Sequence, residues 1–132
     1  MLLGDLFGVE DLGLRPLVLP SGADSRTIVD VFTTDLPDPG RYLSGGELVL
    51  TGLVWWSAET AETFVDALVA GGATALGAGE AALDGVPEEL VKTCQKRGLP
   101  LFAVPASVSF AEITRRVLAE GRPSRPVGRR LL

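Results

Sequence analysis

The chain has 132 residues, 46% of them apolar, with 16 Gly and 9 Pro. That is the size of one domain, with enough apolar side chains for a core and too little Pro and Gly for a disordered low-complexity chain. Seventeen acidic and twelve basic residues give a net charge of −5, which argues against a general polyanion-binding surface. The charge is segregated: residues 1–120 carry every acid and 8 bases, net −9, and residues 121–132 carry four Arg and no acid. There is no His and only one Cys. Ser-His and Cys-His pairs, His-ligated metals and an intrachain disulfide are therefore excluded.

In chain order, residues 1–12 predict one or two short helical turns, with Leu2, Leu3, Leu6 and Phe7 as the apolar side. Residues 16–19 form a short β-like run stopped by Pro20-Ser21-Gly22, and the β-branched run 27–33 predicts a second strand. Leu36-Pro37-Asp38-Pro39-Gly40 must be a loop. Residues 47–54 are nearly all apolar, as in a strand covered on both faces. A helix follows, with Ser57 as its N-cap, Glu59 and Glu62 near its positive end, and Ala61, Phe64, Val65, Leu68 and Val69 on one stripe. Gly71-Gly72 ends it. Residues 73–76 read as a strand running into Gly77-Ala78-Gly79, taken as an exit turn.

The next helix begins near Pro87, buries Leu90, Val91 and Cys94, and ends at Gly98. Residues 101–104 are a strand. Ser109-Phe110-Ala111-Glu112 is a capping box opening a last helix, with Phe110, Ile113, Thr114, Val117 and Leu118 as its stripe. Three consecutive strand–helix units predict a single α/β domain over residues 1–120, with a mainly parallel sheet and an N-terminal portion of strands and short helices. Residues 121–132 read as a basic, flexible linker or tail.

Gly77-Ala78-Gly79-Glu80-Ala81-Ala82 fits the loose dinucleotide pattern GxGxxA, but the helix starts too late and Arg97-Gly98 stand where the ribose-binding acid belongs. No P-loop occurs, so no cofactor is expected. Cys94 lies on an apolar stripe, as an inert buried thiol would. Trp55 and Trp56 follow the third strand, one suited to packing on the sheet and the other to a pocket or partner surface. No signal-peptide pattern opens the chain, and no run of about 18 apolar residues suggests a membrane span. In open α/β sheets ligands sit outside the carboxyl ends of the strands, and Thr51-Gly52, Trp55-Trp56 and Gly77-Ala78-Gly79-Glu80 all fall at or just past such ends.

Thr34-Asp35-Leu36-Pro37-Asp38-Pro39, then Tyr42-Leu43 and Gly45-Gly46-Glu47-Leu48-Val49-Leu50-Thr51-Gly52, resemble the N-terminal domain of PucR-type purine catabolism regulators. Val86-Pro87-Glu88-Glu89-Leu90-Val91, Gly98-Leu99-Pro100-Leu101-Phe102-Ala103-Val104-Pro105 and Phe110-Ala111-Glu112-Ile113-Thr114 support the resemblance, which covers about residues 1–120. It implies the sensory domain of a cytoplasmic bacterial transcriptional regulator, placed before a helix-turn-helix region. The twelve residues after 120 are too few for that region. Specific DNA binding is thus expected from a C-terminal helix-turn-helix domain or a partner, not from this chain.

The leading expectation is a non-enzymatic module that binds a small purine or ureide-like metabolite. Asp35, Glu47 and Glu80 would accept N–H groups, Thr51 would donate or accept, and Trp55 would stack on a planar ring. Thr34 belongs to the same set, and Gly46 and Gly52 would allow close backbone approach. Two alternatives stand beside it: a homodimerisation module using Trp55 and Trp56, and a small carboxylate-dependent enzyme.

Overall fold

The structure is a computed structural model and describes residues 1–121; of the basic tail expected over residues 121–132, Gly121 closes the last helix and residues 122–132 lie outside the described residues. Its strands are β1 (Arg15–Val18), β2 (Asp30–Thr33), β3 (Glu47–Thr51), β4 (Ala75–Gly79) and β5 (Leu101–Val104). Its helices are α1 (Leu3–Phe7), α2 (Ala61–Ala70), α3 (Glu88–Arg97) and α4 (Phe110–Gly121), with 3-10 turns at Glu10–Leu12, Ala23–Ser25 and Gly40–Tyr42. The strands form one sheet in the order β1-β5-β4-β3-β2, parallel except for β1. This is the expected α/β domain with its three strand–helix units.

Period-two alternation sends each strand's side chains to two cores. On one face Val49, Leu76, Ala78 and Leu101 pack with Phe64, Val65 and Leu68 of α2 and Leu90 and Cys94 of α3. On the other, Leu48, Leu50, Ala75, Phe102 and Val104 meet Leu3 and Leu6 of α1 and Ile113 and Val117 of α4. Every residue of β3 is buried, Leu48, Val49 and Leu50 in the two cores and Glu47 and Thr51 with hydrogen-bond partners. Burial pushes the Cys94 thiol up to about 12, which leaves it unreactive.

Several elements differ from expectation, each for a local reason. Gly77-Ala78-Gly79 is not an exit turn but the body of β4. Leu50, Gly77 and Phe102 stand side by side across the sheet. A Cβ on Gly77 would come within 2.6 Å of the Phe102 ring and 2.7 Å of Leu50, so glycine makes room for two large neighbours. β3 stops at Thr51 rather than residue 54, because side chains take the next backbone N–H groups (below). α2 begins at Ala61, not beside Ser57. Ser57 instead closes the preceding turn: its Oγ accepts the Thr60 N–H while Thr60 Oγ1 accepts the Ser57 N–H. Val69 and Leu118, expected on buried stripes, are exposed, since α2 and α4 reach the cores only through narrower faces.

Candidate ligand site at the carboxyl edge

Because β2 to β5 are parallel, their carboxyl ends share one edge, and antiparallel β1 brings its first residue, Arg15, to that same edge. The edge is organised around Asp35. Its Oδ1 accepts the Thr51 hydroxyl at 3.0 Å, the Gly52 N–H at 2.9 Å and the Val54 N–H at 3.4 Å. Thr51 Oγ1 in turn accepts the Leu53 N–H at 3.2 Å and the Trp55 indole N–H at 2.9 Å. Two side chains thus satisfy three consecutive N–H groups, ending the strand without leaving orphan donors.

This clamp holds an uncommon backbone. Leu53 has φ +64 although it is not glycine, and its side chain is buried in the α2–α3 core. A bulky residue persists in that region only when its surroundings fix it. Burying Leu53 turns the next residue outward, and Val54 is 76% exposed.

Beside Val54 lies a hollow of about 330 Å³. Gly52 and Val54 line it from the β3 exit, Gly79 and Glu80 from the end of β4 and just past it, and Val104, Pro105, Val108 and Phe110 from the stretch that runs from the end of β5 to the start of α4. The Phe110 ring lies over Gly79, where a Cβ would come within 3.1 Å of it. The walls are largely apolar. Their ionised group is Glu80, whose Oε2 accepts from Arg15 at 3.1 Å, with Arg15 more exposed than Glu80.

The sequence-derived candidates divide across the sheet. Gly52 and Glu80 line the hollow. Thr34, Asp35, Thr51 and Trp55 stand behind it as the clamp: Thr34 Oγ1 accepts the Leu36 N–H, and Trp55 stacks on Phe64 with ring centroids 4.1 Å apart. Thr51 uses its hydrogen and both lone pairs within the protein, which leaves it no further capacity. Trp56 is half-buried against the same core, its ring 5.7 Å from that of Trp55. Gly46 and Glu47 lie at the opposite end of β3. Glu47 is buried, its carboxylate accepting the Ser44 and Gly45 N–H groups at 2.7 and 2.9 Å. Gly46, at φ +87, has no room for a Cβ beside Val29.

Sequence reasoning missed Arg15, Val54 and the wall from Val104 to Phe110. The strand-end rule, applied past residue 104 as it was past residues 51 and 79, would have found the wall. Arg15 carried no such signal, since only the antiparallel pairing of β1 brings it there. Among the described residues no three His, Cys, Asp or Glu side chains gather as metal ligands, and no helix is long and apolar enough to cross a membrane.

A family model described as PucR, the purine catabolism regulatory protein-like family, matches residues 6–120, and the chain belongs to that family. No curated protein matches it.

Proposed function

We propose that this member of the PucR family is the sensor domain of a regulator and binds a small neutral metabolite, purine or ureide-like, at the carboxyl edge of its sheet. The observation that carries this reading is the hollow of about 330 Å³. It is near the lower end of the ~300–1,000 Å³ usual for small-molecule sites and opens where open α/β sheets take their ligands. A planar ring would pack against Val54, Val108 and Phe110, with Gly52 and Gly79 allowing close approach. N–H groups on one edge of the ring would donate to Glu80, and Arg15 would donate to a neighbouring carbonyl. The opposite charges of Glu80 and Arg15 favour a ligand without net charge. Asp35, Thr51, Trp55 and Thr34 contribute by fixing the turn that presents Val54, and Gly46 and Glu47 by anchoring β3.

The reading is non-enzymatic and cytoplasmic, with DNA contacted through a C-terminal helix-turn-helix domain or a partner. A homodimer through Trp55 and Trp56 has less behind it, because Trp55 already stacks on Phe64 and donates to Thr51.

A thermal-shift screen of purines and ureides tests the proposal. A ligand at a hundred times its Kd adds about 2.7 kcal/mol, or roughly 5 °C or more for a domain of this size. Glu80→Gln should melt like the wild type without ligand and lose most of the shift. No stabilisation by any compound at saturating concentration would overturn the sensor reading.

A further inference from the structure

One short stretch of chain joins the hollow to the last helix. Asp11, in the 3-10 turn Glu10–Leu12, accepts from the Arg116 guanidinium of α4. Leu12 is buried in the same core as Ile113 and Val117 of α4. Gly13 then reverses the chain at φ +62, with Pro105 3.5 Å from its Cβ position. Arg15 opens β1 and reaches Glu80. Pro105 and Glu80 both line the hollow, as does Phe110, the first residue of α4. Within five residues the chain therefore joins the hollow's wall at Glu80, passes beside Pro105, and meets α4 through the Asp11–Arg116 pair and the core around Leu12.

We infer that residues 11–15 form a strap that couples occupancy of the hollow to the hold on α4. The inference rests on the hollow being the ligand site. Arg15 is 59% exposed, and an exposed ion pair of this kind contributes little net stability. A ligand that gives an N–H group to Glu80 and a carbonyl to Arg15 therefore draws Arg15 off Glu80 at small cost. The change of partner moves the start of β1 and, through the Gly13 turn, shifts Asp11 against Arg116. Arg116 also pairs with Glu112, so α4 keeps an internal partner when Asp11 moves away. Linkage makes the effect reciprocal: loosening the Asp11–Arg116 contact changes ligand affinity by the same factor.

Hydrogen exchange on the full chain, without ligand, tests the strap. Glu80→Gln, which removes the charge partner of Arg15, is expected to speed exchange in α4 about threefold while α2 stays unchanged. Asp11→Asn should do the same. The double variant should match the larger single effect, because both substitutions cut one strap, whereas independent surface pairs multiply. Three results overturn the inference: multiplying effects, a Glu80→Gln variant with α4 exchange at the wild-type rate, or an equal rise in α2. The screen above and this experiment fail separately, since exchange is read without ligand and the screen reads only stabilisation.

Discussion

At the amino end of β3 the Glu47 carboxylate is buried, and both its oxygens accept backbone N–H groups; Gly46 donates to Gly72 and leaves no space beside Val29. At the carboxyl end of the same sheet Glu80 meets one exposed arginine, and glycines 52 and 79 face a hollow. Glutamate and glycine occur at both ends with opposite consequences. Where every polar group has a fixed partner inside the protein, the residues hold the fold. Where a carboxylate keeps a weak, exposed partner beside open apolar surface, they remain available to a ligand.

Substitutions at the two ends should separate these roles. Glu47→Ala leaves the Ser44 and Gly45 N–H groups without their acceptor, and a loss of about 2–4 kcal/mol in urea unfolding is expected. A loss below about 0.5 kcal/mol would place the amino end on the same footing as the carboxyl end. Asp35→Ala frees the turn after β3, whose N–H groups water can partly serve, so a smaller loss of about 1–2 kcal/mol is expected. Its distinguishing sign is local: the Leu53 and Val54 amides should exchange faster while those of Leu48 and Leu50 keep their protection.

Acid gives the smallest effect. Arg115 first, then Arg116, hold the Glu112 carboxyl below its ordinary 4.5. A carboxyl depressed in the folded state adds stability that is complete above its unfolded value and is lost as pH falls through the folded one. The stability difference between wild type and Glu112→Gln, measured by urea unfolding from about pH 6 to about pH 3, should therefore shrink on acidification. A difference that stayed constant would mean that the arginines do not hold the carboxylate in solution.

The architecture was legible because it rests on local chemistry. The stripe of α3, the Gly98 cap at φ +68, the β-branched and apolar runs and the Ser109 cap each announce one element in a few neighbouring residues. Gly77 was misread because its reason lies across the sheet, in the Leu50 and Phe102 side chains that fill its place. Asp35 was picked out as a hydrogen-bond acceptor, and the structure gives it one hydroxyl and two backbone donors sixteen to nineteen residues away. Spacing along a sequence does not reveal which side chains will be used up in this way. Arg15 became visible only once antiparallel β1 was placed beside β5.

The central claim, a ligand in the hollow, is tested most directly by titrating the isotope-labelled chain with the best-stabilising purine or ureide and following its backbone amides by NMR. The account predicts shifts concentrated at Gly52, Val54, Glu80, Val108 and Phe110, and their loss in Ala106→Trp, since Ala106 also lines the hollow and is exposed, so that the larger side chain fills it. Shifts clustered around Gly46 and Glu47 instead, or undiminished in Ala106→Trp, would contradict it.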